Sequence, residues 1–111
     1  MVYNCTCTGV YKGSTPSLFF NTNAPLFNIS KMWLTFRQRD IIVLDKDETN
    51  ITIVDSDTVK LKLTQEETLL FSSKYDIEVQ LRIRYNGTTG AAVTSETSSF
   101  RMNEVIKHEV I

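Results

Sequence analysis

Tyr75-Asp76-Ile77-Glu78-Val79-Gln80-Leu81-Arg82-Ile83-Arg84-Tyr85 decides the fold of this chain. Ile77, Val79, Leu81, Ile83 and Tyr85 alternate with Glu78, Gln80, Arg82 and Arg84, so one extended strand carries an apolar face and a polar face. At about 3.3 Å per residue such a strand spans roughly 35 Å, a length that predicts a central place in its sheet.

The flanks of this strand read in the same way. Asn86-Gly87 predicts a hairpin turn, and Ala92–Arg101, rich in Thr and Ser, a return strand that is an edge or half-exposed one. Upstream, Thr64-Gln65-Glu66-Glu67 has the form of a capping box. It predicts a helix of one or two turns that drops Leu69, Leu70 and Phe71 onto the core. Before it, Thr58–Leu63 points Val59, Leu61 and Leu63 inward with Lys60 and Lys62 outward, and Ile51–Val54 is a further strand. Lys31–Gln38 sets Met32, Leu34 and Phe36 against Trp33, Thr35 and Arg37. Ile41–Leu44 is its hairpin partner across Arg39-Asp40, and Asp45–Asn50 a polar turn.

Ser17–Asn21 is the first firm strand, followed by a loop over Asn21–Pro25. Leu26–Ser30 reads as a connection whose Leu26, Phe27 and Ile29 plug one end of the core. Residues 1–16 form a leading strand or an N-terminal arm, and Asn103–Ile111 fits helix and strand alike. Apolar residues at both ends suggest segments that dock onto neighbours by strand addition. The whole predicts an all-β chain, one antiparallel two-sheet sandwich domain of about seven strands with one short helix, over residues 1–111.

Composition narrows the function. The chain has 111 residues, 41% of them hydrophobic and 23% charged, which is ordinary usage for a folded domain. A net charge of −1 argues against nucleic acid as partner, because phosphate binding demands a basic surface. No apolar run reaches the roughly 20 residues of a membrane helix. The N-terminus has neither basic start nor apolar segment, so a protein made and used without processing is expected. Asn-x-Ser/Thr triplets at Asn4, Asn28, Asn50 and Asn86 then follow from Thr-rich strands beside Asn-rich turns. Cys5 and Cys7 are two apart, a poor geometry for a disulfide, and are expected as free thiols in a reducing compartment.

Candidates for chemistry are few. His108 is the single histidine, without a nucleophile elbow or a cysteine-protease context. The Cys-x-Cys pair lacks the spacing of a structural zinc motif. Asp45-Lys46-Asp47-Glu48-Thr49-Asn50 opens like a calcium loop but lacks its glycine, and Ser56 stands at the twelfth place. No enzymatic activity, metal or cofactor is expected. Binding is the better reading, with Tyr3, Tyr11, Trp33, Arg37, Arg82 and Arg84 as contact residues, since aromatic residues and arginine dominate interface hot spots. Arg39 belongs to the same set of outward arginines, with Glu78 as a partner.

An ordered series of segments adds to this: Gly13-Ser14-Thr15-Pro16, Leu34-Thr35-Phe36-Arg37-Gln38, Leu63-Thr64-Gln65-Glu66-Glu67-Thr68-Leu69-Leu70-Phe71, Ile77-Glu78-Val79-Gln80-Leu81-Arg82 and Glu109-Val110-Ile111. From Tyr11 onward the chain resembles small virion proteins of tailed phages of Gram-positive hosts, and the N-terminal domain of the phage baseplate upper protein. The resemblance implies an immunoglobulin-like sandwich that attaches or joins parts of a virion. The baseplate protein continues into a helical linker and a trimerisation region where this chain ends at Ile111, so head, neck, tail and fibre-adaptor positions are equally open. The expected partners are other virion proteins, with the chain present in several copies or as a homo-oligomer, made in the host cytoplasm. The rival reading is a carbohydrate-binding module with Trp33 and the tyrosines as its sugar platform.

Overall fold

A computed structural model describes residues 3–6, 10–22, 25–87, 91–94 and 97–111, the first of these stretches by its backbone alone. Among the described residues nine strands and one helix follow in chain order: β1 (Tyr3–Thr6), β2 (Ser17–Thr22), β3 (Ile29–Gln38), β4 (Ile41–Asp47), β5 (Thr52–Ile53), β6 (Thr58–Lys62), α1 (Gln65–Leu69), β7 (Ile77–Tyr85), β8 (Ala92–Thr94) and β9 (Ser98–Phe100). All strand pairs are antiparallel. They make a four-stranded sheet in the order β1-β2-β6-β5 and a five-stranded sheet in the order β4-β3-β7, with β8 and β9 both on β7. The chain is therefore an all-β sandwich, and its strand order is that of immunoglobulin-like domains.

The alternating strands put their apolar residues into the space between the sheets. Leu18 and Phe20 of β2 and Val59 and Leu61 of β6 face Met32, Leu34 and Phe36 of β3 and Ile77, Val79, Leu81 and Ile83 of β7, all buried. Each such side chain contributes about 1.5–3 kcal/mol relative to its exposed state. Leu63, Phe71 and Met102 close the core at the helix end.

The return strand is split. Arg82 pairs with Thr94 while Val79 pairs with Ser98, so the return path takes four steps against three on β7 and slips by one residue between β8 and β9. Together with β1 and the two-residue β5, this split gives more strands than the alternation alone implies. The hairpin joining β7 to β8 is also longer than Asn86-Gly87: the Tyr85 amide donates to the Ala91 carbonyl at 2.9 Å, and Ala92 then stands opposite Arg84.

Between β3 and β4 the two-residue turn does fall on Arg39-Asp40, both left-handed, with φ of 50° and 64°. Two left-handed residues are what a type I′ hairpin requires, although Asn-Gly is its usual sequence. The Arg39 guanidinium lies 4.6 Å from the Tyr75 ring centroid and donates to the Tyr75 hydroxyl at 3.1 Å, which holds the strained turn down. β4 runs on to Asp47, through half of the segment expected as a turn, and Val43 bulges between the Phe36–Leu44 and Arg37–Ile42 pairs.

The capping box forms as its sequence predicts: Thr64 accepts from the Glu67 amide at 3.2 Å, and Glu67 accepts from the Thr64 amide at 2.9 Å. Glu67 also meets the Lys46 ammonium, which β4 turns inward opposite Leu34. Burial pushes the Glu67 carboxyl up, but Lys46 and Thr64 together hold it below the usual carboxylate value. One helix cap thus ties the end of the first sheet to the edge of the second.

Two expected core residues lie elsewhere. Phe27 is 66% exposed, because the chain turns at Asn28 with φ of 54° and swings its neighbours Leu26 and Ile29 inward instead. Leu70 is 59% exposed, since a helix this short aims only one side at the core, the side of Thr68 and Phe71. The central strand is also shorter than its expected span from Tyr75: β7 starts at Ile77, and Tyr75 lies in the loop before it.

Both termini make hydrogen bonds within the chain. β1 pairs with β2 and lies beside β9, closing one side of the sandwich. Asn103 donates to the Val10 carbonyl at 2.7 Å and accepts from the Lys12 amide at 3.1 Å. Beyond that bridge residues 104–111 are neither helix nor strand. Strand addition by these segments would first have to break those pairs. Cys7 lies outside the described residues, as does the side chain of Cys5.

Candidate functional site

The same alternation that fills the core builds the outer face of the five-stranded sheet. With Met32, Leu34 and Phe36 forced inward, Lys31, Trp33, Thr35 and Arg37 of β3 must point out. On β7 the outward set is Glu78, Gln80, Arg82 and Arg84. The register then decides the neighbours: Lys31 opposite Arg84, Trp33 opposite Arg82, Thr35 opposite Gln80 and Arg37 opposite Glu78.

These side chains fall into two groups. Arg37 donates through Nε to Glu78 at 3.0 Å, and this hydrogen bond and charge raise the guanidinium pKa further. Around the pair Thr35, Ile42, Gln80 and Thr97 line a shallow concavity of about 220 Å³. Farther along, Trp33 is 38% exposed and forms, with Lys31, Arg82, Arg84 and Ala92, a second concavity of about 200 Å³. The Lys31 ammonium stands 4.6 Å over the Trp33 ring and is balanced by Glu48 at 3.3 Å and Asp47 at 3.7 Å. Arg82 and Arg84 are exposed, and among the described residues no carboxylate pairs with either.

Of the residues singled out by sequence, Trp33, Arg37, Arg82 and Arg84 therefore share one face. Tyr11 does not. It is 52% exposed beside Asn103, in the N-terminal stretch pinned near α1. Tyr3 is part of β1 in the opposite sheet, opposite Thr22, and its side chain lies outside the described residues. Arg39 sits in the turn and faces Tyr75, off the sheet. Sequence reasoning missed Lys31 and Ile42, the latter 61% exposed on this face. Lys31 was legible as the residue two before Trp33; Ile42 was not, since Ile41-Ile42-Val43-Leu44 has no alternation and the bulge sets which of the four points out.

His108 belongs to a different cluster. Glu104 accepts from the Ser73 hydroxyl at 2.6 Å, from the Val105 amide at 3.1 Å, and bonds His108 Nε2 at 2.5 Å. The carboxylate stands between hydroxyl and imidazole, so the histidine does not face the serine as a base would. The Ser73 hydroxyl, then the Val105 amide and His108, hold the Glu104 carboxyl down at about 2. A depressed carboxyl stabilises its folded surroundings above the ordinary value of 4.5 and loses that effect as pH falls toward 2. Protection of the Val105 amide against hydrogen exchange should therefore fall across this interval in the wild type and be insensitive to pH there in Glu104→Gln. Equal pH dependence in both would show that the cluster does not hold the segment. Among the described residues no three His, Cys, Asp or Glu side chains are grouped to hold a metal, and no helix is long and apolar enough to cross a membrane.

Compared with known proteins, the sequence matches no family model and no curated protein.

Proposed function

We propose that this chain is a structural or adaptor module of a tailed-phage particle, and that it docks onto another virion protein through the outer face of its five-stranded sheet. The virion setting rests on the resemblance of its ordered segments. The docking face rests on one observation: Trp33 stands half out of the two central strands, flanked by Arg82 and Arg84 on a rigid sheet. Tryptophan and arginine at the centre of a patch are the residues that dominate binding energy in protein interfaces.

The sheet edges support the same choice. An open edge recruits other strands, and natural sheets blunt it with bulges, short strands and inward charges. Here β4 carries the Val43 bulge and the inward Lys46, β5 has two residues, and the β8–β9 edge slips by one. The face is left as the surface to offer. For a sugar platform, one face of the Trp33 ring is already covered by the Lys31 ammonium, which favours a protein partner over a stacked sugar.

Trp33→Ala should reduce incorporation into particles at least tenfold, measured by co-sedimentation of tagged protein with assembled virions, while Tyr11→Ala incorporates normally. Both variants should melt within a few degrees of the wild type, because neither side chain is in the core. Normal incorporation of Trp33→Ala would remove the face from the proposal, and a wild type that does not sediment with particles would remove the virion role.

A further inference from the structure

Each of the other arginines outside the Trp33 patch has its charge or its fork engaged. Arg37 holds Glu78, Arg101 holds Asp76 at 3.0 Å, and Arg39 bonds and stacks on Tyr75. Lys31, within the patch, is balanced by Asp47 and Glu48. Arg82 and Arg84 stand apart from this pattern. They are two residues apart on one face of β7, so their Cα atoms are about 7 Å from each other. Their neighbours across the sheet are Trp33 and Lys31 on β3 and the uncharged Thr94 and Ala92 on β8. Two like charges side by side repel, and nothing among the described residues relieves them.

Resting on the reading of this face as a protein-docking surface, we infer that the partner presents two carboxylates about 7 Å apart, one to each of Arg82 and Arg84, beside an apolar group that covers Trp33. Guanidinium groups bind carboxylates through paired N–H donors, which fixes the partner's position as well as its charge. An extended segment with acidic residues at i and i+2 has this spacing, and the small Thr94 and Ala92 leave room for it on the β8 side. A nucleic-acid strand would bring anions at a similar spacing. It would also run its phosphates past Asp47 and Glu48, which border the patch on the β4 side, on a chain whose net charge is −1.

Trp33 is the single tryptophan, so fluorescence excited to the red of tyrosine absorption reports on this patch. The full chain should be titrated with a blocked peptide of alternating Glu and Val, with the same peptide carrying Gln for Glu, and with a single-stranded oligonucleotide. The Glu peptide should change the Trp33 emission saturably, at least tenfold more tightly than the Gln peptide, and weaken as salt rises. The double variant Arg82→Gln/Arg84→Gln, with an unchanged circular dichroism spectrum, should lose at least tenfold of that affinity. No saturable change, equal binding of the Gln peptide, or tighter binding of the oligonucleotide overturns the inference. Particle incorporation separates the two levels. If Trp33→Ala is excluded while the double arginine variant enters normally, the carboxylate pairing is wrong and the docking face stands; if Trp33→Ala enters normally, the face itself is wrong.

Discussion

Phe36→Ala should destabilise the domain by about 3–5 kcal/mol, the range for removing a buried aromatic side chain. Phe36 is fully buried on β3, between Leu44 of β4 and Val79 of β7. Its ring meets that of Phe71 edge to face, centroids 6.0 Å apart and planes at 63°. Phe71 follows α1, so this contact joins the helix end of the sandwich to the middle of the five-stranded sheet. The void left by alanine cannot close easily, because β3 is hydrogen-bonded on both sides and its backbone cannot move inward. A small domain holds only about 5–15 kcal/mol in total, so much of the reserve goes with one side chain. Urea unfolding at equilibrium reads the effect, with Phe27→Ala as the control expected within about 0.5 kcal/mol because that ring is exposed. A loss below about 1 kcal/mol for Phe36→Ala would mean that the two sheets are not packed through this layer.

The burial of Phe36 was legible in the alternation of its strand, and so was most of the central sheet, because alternation is a direct record of which side faces the core. Ile77 to Ile83 and Met32 to Phe36 are buried as their pattern demands, and the same pattern placed Trp33, Arg37, Arg82 and Arg84 outside. What it could not supply was the pairing of strands. That Trp33 lies opposite Arg82, making one patch of residues 49 positions apart, depends on register, which single strands do not encode. Where alternation lapses, reading lapses too. The run Ile41 to Leu44 gave no hint of its bulge, and the Thr- and Ser-rich return strand none of its slip. The capping box announced α1 from four residues, yet its third partner, Lys46, comes from a strand edge nearly twenty residues earlier. Tyr3 and Tyr11 stand out in the sequence only as aromatic residues, and aromatic identity says nothing about location; the structure puts neither beside Trp33.

Gln38 is the strongest case of a residue whose role the sequence hides, and Gln38→Leu should cost about 2–4 kcal/mol. In the sequence it merely ends an alternating strand. In the fold it is buried at the mouth of the core, with three good hydrogen bonds to backbone more than thirty residues away. Its Nε2 donates to the Ser72 carbonyl at 2.8 Å and the Tyr75 carbonyl at 3.0 Å, while its Oε1 accepts from the Ser72 amide at 2.9 Å. The side chain thus stands in for a strand, satisfying the loop that carries the chain from α1 into β7. Leucine keeps the volume and removes every partner, leaving two carbonyls and one amide to find water at a buried site. The loop also carries Tyr75, on which Arg39 of the strained turn rests, so the variant should loosen both. Hydrogen exchange should show the Ser72 amide losing protection first, with the β3–β4 turn following, and urea unfolding should give the total. Gln38→Glu separates hydrogen bonding from shape: at neutral pH its carboxylate still accepts from Ser72 but faces two carbonyls with no proton to offer, so it should be at least as destabilised as leucine and recover as pH falls and the acid protonates. A Gln38→Leu variant as stable as the wild type would show that water or an alternative loop path satisfies these groups, and the clamp would have to be abandoned.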